Sequence, residues 1–535
     1  MRRWNGWGDE ATHFPLKPAG RDFLKRVLGP GRIHADAALA DVMARVPGSR
    51  LPHHRLIDSS AETRVRHARG QSLPDWLAMR AGDFGTFPDG VAQPADRGQV
   101  RELLDWAVEH GIRLIPYGGG TSVAGHINPP VSNAPVLTLS LARLNGLLKL
   151  DRTSQLATFG AGTPGPEVER LLAEQGYVLG HYPQSWELST IGGWVASRSS
   201  GQQSLRYGRI EQLFAGGRVE TPRGSLEIPA FPASSAGPDL RELVLGSEGR
   251  LGLITEVQAR VSPQPEHESF HVAFMPDWEH GVRLARELVQ ARLPLSMVRL
   301  SNPEETRTQL VLAGHEKAVA ALERYLRLRG CGDGKCMLTF GVSGEARACR
   351  QTLRETVRRI RRAGGVHTGR PLGRKWEETR FRSPYLRHGL WEHGYVVDTL
   401  ETAVNWDRVP EMVAQVEDAI RGEAGEGEQA HVFTHLSHLY AQGSSIYTSY
   451  VFRCSDSLEE TRQRWWRMKS AASDVIARLG GTISHQHGVG RDHAPWLPAE
   501  KGEQGMAALT ALMHHFDPDT RLNPGCLLGE NDHAG

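Results

Sequence analysis

The sequence lacks the features that mark several common classes of protein. No apolar run approaches the roughly 20 residues that a membrane-spanning helix needs, and the first residues lack the apolar core of a secretory signal. The last three residues are not the peroxisomal signal Ser-Lys-Leu. Cysteine is scarce, since the chain has 5 and none of them forms a CxxC pair. We therefore expect reduced thiols and a cytoplasmic location.

An excess of charge of one sign is also lacking. The 63 basic and 61 acidic residues give a net charge of +2, and the hydrophobic content of 39% is that of an ordinary soluble globular protein. This balance excludes a global field that would attract nucleic acid. No Walker P-loop is present, and the glycine-rich run over 422–428 does not match the GxGxxG fingerprint. We also expect no zinc-binding helix of the HExxH type.

Length and hydrophobic pattern predict an α+β protein of several domains. A chain of 535 residues is too long for one hydrophobic core. Residues 1–90 carry apolar side chains at helical spacing and predict a helical arm. Residues 91–265 mix strands and helices, and residues 266–430 form a second mixed module. Residues 431–535 form a C-terminal segment that concentrates histidine and tyrosine.

Three blocks rich in glycine, serine and threonine fall within residues 91–265. The first, Pro116 to Gly125, has three consecutive glycines directly after a short apolar strand. Glycine permits sharp turns and leaves its amides open to a ligand, which is typical of anion binding, although glycine clusters also form plain surface turns. The other two blocks span His181 to Gly201 and Gly246 to Gly252. Together the three blocks favour one extended polar ligand that threads between them.

The C-terminal segment carries the side chains best suited to chemistry. His435 and His438 precede a predicted strand from Ser445 to Phe452, and His485 and His487 follow a predicted helix. Three interpretations stay open: acid–base chemistry beside a cofactor, a metal site, or buried histidines that only pack. No carboxylate lies immediately beside His485 and His487 in the sequence, which disfavours the metal.

Two tyrosines lie three residues apart in that predicted strand. Tyr447 and Tyr450 should face opposite sides, because successive side chains of a strand alternate. Only one of them can therefore reach a reaction centre, and we expect the other to pack in the core.

A predicted helix over residues 344–363 is unusually basic. It could contact anionic lipid headgroups, or it could present a solvated basic face. Glu345 and Glu355 dilute its charge and favour the solvated face. The arginines of this helix are Arg347, Arg350, Arg354, Arg358, Arg359, Arg361 and Arg362.

Motifs along most of the chain resemble a known family. The run Arg3 to Gly8, residues 66–70, the three glycine-rich blocks, residues 406–409 and the run Ser484 to Gly490 resemble flavoproteins of the vanillyl-alcohol oxidase type. The glycine-rich motifs are common to that whole superfamily. The opening Trp-Asn-Gly-Trp-Gly and the later Ser-His-x-His-Gly-Val-Gly resemble its alkyldihydroxyacetonephosphate (alkylglycerone-phosphate) synthase branch.

The resemblance implies a fold and a cofactor. It implies a two-lobed FAD-binding domain with a cap domain and helical terminal segments, the C-terminal one returning catalytic residues to the flavin. The residues that it assigns to FAD are Pro116, Tyr117, Gly118, Gly119, Gly120, Thr121, Ser122, Gln184, Ser185, Ser189, Thr190, Gly193, Ser197, Ser200, Glu248, Gly249, Leu251, Gly252 and Ile254.

The resemblance also implies a reaction. In the synthase branch, an adduct at flavin N5 lets a fatty alcohol replace the acyl chain of acyl-dihydroxyacetone phosphate, a step of ether lipid synthesis without net redox change. No metal is implied. The implied catalytic residues are Tyr447, His485, His487, Arg299 and His181, and the implied substrate-binding residues are Arg387, His435, His438 and Gln486.

The chain departs from the synthase pattern at two positions. Gln486 interrupts a triple histidine and cannot titrate, and His435 stands where the animal synthases have an arginine. The alternative function is a FAD-linked dehydrogenase or oxidase of a small 2-hydroxy acid or of glycerol phosphate. The expected partners are a small-molecule or lipid phosphate substrate, a membrane surface contacted peripherally, and a second copy in a homodimer.

Overall fold

The computed structural model describes residues 1–529. The first part of the chain leads through helices into a four-stranded sheet of order β1-β2-β4-β3, in which β2, β4 and β3 are parallel. The glycine-rich loop begins where β3 ends, as predicted. The elements are α1 (Pro18–Leu28), α2 (Leu39–Met43), β1 (Ile57–Asp58), α3 (Ala61–Arg66), α4 (Leu73–Ala81), β2 (Gly90–Ala92), α5 (Arg97–Glu109), β3 (Arg113–Tyr117) and β4 (Val136–Ser140).

A five-stranded antiparallel sheet of order β5-β6-β10-β8-β9 follows. Its apolar face packs on α6, α7 and α9 around the buried ring of Trp194. The elements are β5 (Leu147–Asp151), β6 (Leu156–Gly160), α6 (Gly165–Ala173), β7 (Tyr177–Val178), α7 (Ile191–Ser197), α8 (Ser204–Tyr207), α9 (Ile210–Leu213), β8 (Phe214–Thr221), β9 (Gly224–Ile228), α10 (Arg241–Val244), β10 (Leu253–Arg260) and β11 (Ser262–Pro263).

The largest sheet has seven antiparallel strands in the order β15-β12-β14-β13-β17-β18-β16. Residues on both sides of position 430 belong to it. Its elements, and the two helices that follow, are β12 (His267–Met275), α11 (Trp278–Gln290), β13 (Met297–Ser301), α12 (Pro303–Ala313), α13 (Glu316–Leu328), β14 (Cys336–Gly344), α14 (Ala346–Arg362), β15 (Val366–His367), α15 (Pro371–Thr379), α16 (Leu386–Trp391), β16 (Tyr395–Asn405), α17 (Val409–Gly422), β17 (Ala430–Leu436), β18 (Gly443–Arg453), α18 (Leu458–Arg478) and α19 (Leu497–Phe516).

The seven-stranded sheet separates a core from a polar face. Apolar side chains of α11, α17 and α18 cover one side and bury the rings of Tyr450, Phe452 and Trp465. Tyr450 packs there and contacts Asp398, as expected for one of the two tyrosines. Among residues 1–529, no helix is long and apolar enough to cross a bilayer. The α+β fold class predicted from the sequence is confirmed.

Candidate functional site

The three glycine-rich blocks meet in space. A Cβ atom on Gly119 would lie 1.9 Å from the Leu188 carbonyl oxygen, and one on Gly118 would lie 2.6 Å from the Thr190 hydroxyl. Gly249 approaches Pro116 in the same way, with 2.7 Å between its virtual Cβ and the proline ring. A side chain at Gly119 would have to displace backbone, and one at Gly118 or Gly249 would have to displace a neighbouring side chain, so the close approach of the blocks depends on glycine.

The first block offers open backbone amides. Within the described chain, no carbonyl or side-chain oxygen accepts a hydrogen bond from the amides of residues 119–123. Gly120 has φ +67°, which L side chains rarely adopt. Half-buried amides without acceptors are costly unless a ligand or water satisfies them. The donor set therefore fits the diphosphate of a dinucleotide cofactor.

The third block binds the C-terminal segment through hydrogen bonds. The Glu248 carboxylate accepts hydrogen bonds from the Val489 amide at 2.5 Å and the Gly490 amide at 2.8 Å, and lies 3.2 Å from His126. The turn places Glu248 at φ +52°. The loop that follows His485 and His487 is thus held against the glycine-rich blocks.

Several residues assigned to FAD form hydrogen bonds to other residues of the chain through their side chains. The Trp194 indole donates to the Ser189 hydroxyl at 2.7 Å, and Thr190 caps α7 by accepting from the Gly193 amide. The Ser197 hydroxyl donates to the Gly193 carbonyl, and Gln184 donates to the Arg380 carbonyl. The Ser122 hydroxyl contacts His126 Nδ1 at 2.6 Å. Tyr117, Leu251, Gly252 and Ile254 are buried in the blocks, and Pro116, Thr121 and Ser185 are half-buried there.

A row of reactive side chains crosses the polar face of the seven-stranded sheet. Tyr447 on β18 is directly opposite Glu401 on β16 and His435 on β17. Directly opposed residues of antiparallel strands share a face. Thr399, two residues before Glu401, accepts a hydrogen bond from the Tyr447 hydroxyl at 3.2 Å. The pairing register of β16, β17 and β18 therefore brings Glu401, His435 and Tyr447 together.

Tyr447 is enclosed by imidazoles. Its ring stacks on His435 with 4.7 Å between ring centroids and contacts His487 edge-on at 5.8 Å. Burial raises the pKa of Tyr447 to about 12, so the phenol carries its proton at neutral pH. Beside it, the Glu305 carboxylate joins Arg299 at 2.5 Å to His435 at 3.0 Å.

Glu401 is a buried anion that the sequence reasoning missed. Its carboxylate lies 3.1 Å from His485 Nδ1 and accepts from the Gln486 amide at 2.5 Å. Burial alone would raise the pKa of Glu401, but His485, His438 and His487 hold that pKa far below its usual value. The Tyr440 hydroxyl occupies the other ring nitrogen of His485 at 2.7 Å. Both nitrogens of His485 are thereby oriented.

His438 closes the other side of this cluster. Its Nδ1 contacts the hydroxyls of Ser200 at 3.1 Å and Ser204 at 3.2 Å, and its ring stacks on His485. Ligand atoms of Glu401, His438 and His485 lie within 4.8 Å of one another, a spacing that could hold a metal ion. A metal was disfavoured because no carboxylate lies beside His485 and His487 in the sequence. In the folded protein, Glu401 on β16 provides one.

Arg387 is half-buried, and no carboxylate in residues 1–529 lies within ion-pair distance of it. Its guanidinium donates to the Gln71 carbonyl at 2.5 Å and lies 4.7 Å from the centre of the Trp76 ring. Burial lowers the pKa of Arg387 to about 10, so it stays charged at neutral pH. A half-buried cation with remaining donors has the chemistry to bind an anion such as phosphate.

His181 lies apart from this row. Its Nε2 contacts the Ser199 hydroxyl at 2.7 Å, and its ring packs 4.8 Å from that of Trp194 in the core of the five-stranded sheet. Burial lowers its pKa to about 3. The structure therefore groups Tyr447, His485 and their neighbours but not His181, whose contacts with Ser199 and Trp194 lie within the second glycine-rich block.

The sequence does contain an HExxH motif, although it does not lie on a helix. Residues 267–271 read His-Glu-Ser-Phe-His, which matches the motif. They lie in strand β12, where residues four apart are about 13 Å apart along the strand rather than on adjacent helical turns. The motif is therefore present, but it has no zinc-binding geometry.

The buried histidines predict how stability depends on pH. Burial lowers the pKa of His181, His388 and His438 to about 3 each, below the value in the unfolded chain. The unfolded state then binds more protons below pH ~6.5, so each histidine costs roughly 1.5–2 kcal/mol between pH 6.5 and pH 5. Glu169, with its pKa raised to about 7, and Asp492, raised to about 6, oppose this loss.

We therefore expect the free energy of unfolding to fall between pH 7 and pH 5, as measured by urea unfolding of the holoprotein. A His388→Gln variant should show a shallower fall, because one titrating group is gone. Equal or greater stability at pH 5 would show that the histidines are not buried in the neutral form.

Comparisons with known proteins agree with this geometry. Residues 88–228 match the FAD binding domain model, and residues 264–527 match the model of the C-terminal domain of FAD linked oxidases. The first match contains two of the glycine-rich blocks, and the second contains the row of reactive side chains.

Similar proteins match most of the chain. It is 29% identical to the alkyldihydroxyacetonephosphate synthase of Dictyostelium discoideum over 98% of this chain and 93% of the relative. A solved alkyldihydroxyacetonephosphate synthase superposes with a TM-score of 0.84 at 26% identity, over 98% of both chains. A glycolate oxidase subunit of Bacillus subtilis is 25% identical over 84% of this chain and 90% of its own length.

Proposed function

Because the chain is an FAD-dependent enzyme of the FAD-linked oxidase family, we propose that it acts as an alkyldihydroxyacetonephosphate synthase. It exchanges the acyl group of acyl-dihydroxyacetone phosphate for a fatty alcohol, and the fatty acid leaves. The observation that carries the proposal is the likeness to such synthases over 98% of the chain. The row of Tyr447, Glu401 and His435 across the seven-stranded sheet supports it.

The glycine-rich blocks are proposed to hold the cofactor. The amides of residues 119–123 would donate to the diphosphate of the cofactor, and Thr190 and Glu248 hold the neighbouring backbone in place. When bound, the flavin supplies a ring that can take up and return electron density at the reacting carbon. The protein binds this ring, orients the substrate against it and excludes water.

A Gly119→Ala variant tests this cradle. Its new methyl group would collide with the Leu188 carbonyl oxygen, 1.9 Å away, so the blocks must separate. We expect about a tenfold or greater loss of bound FAD at fixed free FAD, equal to 1.4 kcal/mol or more. The ratio of flavin to protein absorbance measures it. Gly48→Ala is the matched control, since nothing lies within 4 Å of that position.

Arg387 is proposed to bind the substrate phosphate. Its charge has no carboxylate partner in residues 1–529, and the planar fork can bind two phosphate oxygens. Holding the phosphate there would orient the remainder of the substrate, so that the carbon that exchanges its oxygen substituent lies beside Tyr447. Arg299 and His435, joined by Glu305, line the same polar face and are proposed to hold the carbonyl end.

Tyr447 is proposed as the residue that moves a proton at the reacting carbon. Its pKa of about 12 means that Oη starts protonated. Thr399 and the rings of His435 and His487 keep it in place. His485 contacts Glu401 through Nδ1 and the Tyr440 hydroxyl through Nε2, and is proposed to relay the proton from the incoming alcohol to the leaving carboxylate through that hydroxyl.

The alternative function is oxidation of a small 2-hydroxy acid or of glycerol phosphate. The likeness to a glycolate oxidase subunit favours it, as does Gln486 at a position where a titrating histidine is expected. Product analysis separates the two functions. The synthase releases fatty acid and incorporates fatty alcohol without an electron acceptor, whereas an oxidase or dehydrogenase turns over only with one.

The cytoplasmic location, the homodimer and peripheral membrane contact are further proposals. A lipid substrate supports membrane contact, because both the acyl compound and the fatty alcohol partition into bilayers. Light scattering of the purified protein would test the dimer, with a mass near 118 kDa expected, about twice the 59.0 kDa of the chain.

A further inference from the structure

The basic helix α14 borders a groove that the proposed reaction does not use. The groove has a volume of about 750 Å³ and runs between α14 and β15. Four arginines and one histidine line it: Arg354, Arg358, Arg361, Arg362 and His367. Leu353 and Val357 line it too, and both are half-buried against the core of the seven-stranded sheet.

Positive charge is concentrated on this helix far beyond the rest of the chain. Helix α14 contains seven of the 63 basic residues and one of the 61 acidic residues. Without it, the net charge of the chain would be −4 instead of +2. The excess of basic residues over acidic ones is therefore a local property of this face.

Two carboxylates beside the groove, Glu355 and Glu287, are already paired, and Glu345 precedes the first turn of α14. Glu355 contacts Arg358 and lies 2.8 Å from Arg359, which also contacts Glu287 at 2.6 Å. Among the 529 residues that the structure covers, no carboxylate lies within ion-pair distance of Arg354 or Arg361. Arg362, at the end of α14, is likewise unpaired within that range. Solvated helices usually carry counter-charges at i, i+3 or i, i+4 spacing, but in α14 only Glu355 does so, and it pairs with Arg358 and Arg359 alone.

We propose that the α14 groove docks the enzyme on an anionic bilayer surface. The unpaired arginines would contact headgroup phosphates, and the half-buried Leu353 and Val357 would meet the upper part of the acyl chains. The inference rests on the proposed function, since an enzyme that exchanges lipid chains draws its substrates from a bilayer. For α14, the unpaired arginines favour contact with lipid headgroups over the solvated basic face that the sequence led us to expect.

Sedimentation with vesicles tests the docking without any assay of catalysis. The FAD-loaded protein is mixed with vesicles of phosphatidylcholine, alone or with phosphatidylglycerol, at low and high salt. We expect binding to the anionic vesicles that weakens with salt. The variant R354Q/R361Q/R362Q should bind about 100-fold more weakly, because each cation near an anionic surface contributes about fivefold.

The matched control is R21Q/R97Q/R467Q, which removes the same charge from exposed arginines of α1, α5 and α18. It should keep wild-type vesicle binding. Both variants should keep bound FAD and turnover of a short-chain, water-soluble acyl substrate. Equal binding to neutral vesicles, insensitivity to salt, or an equal loss in the control would overturn the docking surface. If vesicle binding holds but no acyl exchange occurs, the proposed function fails and this surface stands.

Discussion

Replacing Tyr447 with phenylalanine is expected to lower kcat/KM for acyl exchange by about 1,000-fold or more, the usual range for loss of a proton-transferring group. The phenol is protonated at neutral pH, because burial raises its pKa to about 12. Only the hydroxyl is lost, so the stacking on His435 and the fold should survive. Steady-state kinetics with radiolabelled fatty alcohol would measure the effect.

Tyr450→Phe is the matched control for that prediction. It removes the same atom from the same strand, but on the core side, where the Tyr450 hydroxyl donates to Asp398 at 3.3 Å. We expect unchanged kinetics and a loss of about 1 kcal/mol in the free energy of unfolding. Equal activity of Tyr447→Phe and the wild type would remove Tyr447 from the mechanism.

Replacing Glu401 with glutamine is expected to lower kcat/KM by roughly 100-fold, because the buried anion that orients His485 is lost. The anion also raises the proton affinity of His438 and His487, against the effect of burial. The pH profile of kcat/KM should therefore shift to lower pH in the variant. A merely structural role would lower stability without moving that profile.

Glu417→Gln provides the comparison for Glu401. Glu417 is also buried, and it accepts hydrogen bonds from Asn302 at 2.9 Å and Thr434 at 2.7 Å on another part of the sheet. We expect a comparable loss of stability with an unchanged pH profile. If both variants lose activity equally and neither profile moves, Glu401 acts only through the fold.

Elements with strong periodicity were predictable from the sequence. Helices α5, α11, α14 and α18 and strand β18 lie where the apolar spacing places them. Strand β16 escaped prediction although it begins Tyr-Val-Val, because Asp398 and Glu401 interrupt its apolar pattern. Both carboxylates are buried by partners distant in sequence, so no local rule reveals them.

The candidate site was likewise predictable only in part. Glycine chemistry predicted that three blocks share one ligand, and their close contacts agree with it. The row through Tyr447 depends on strand register: Glu401 and His435 become its neighbours only once β16, β17 and β18 pair. Glu305 reaches His435 from α12 in the same way. Such contacts follow from tertiary structure and not from spacing along the chain.

The most direct test of the proposed reaction is the anaerobic absorbance of the bound flavin. The purified protein would be titrated with palmitoyl-dihydroxyacetone phosphate, then with fatty alcohol, and in a separate sample with glycerol 3-phosphate. Acyl exchange predicts bleaching by the acyl compound with release of palmitate, and return of the colour on addition of the alcohol. Bleaching by glycerol 3-phosphate, reversed only by an electron acceptor, would contradict it and make this enzyme a dehydrogenase.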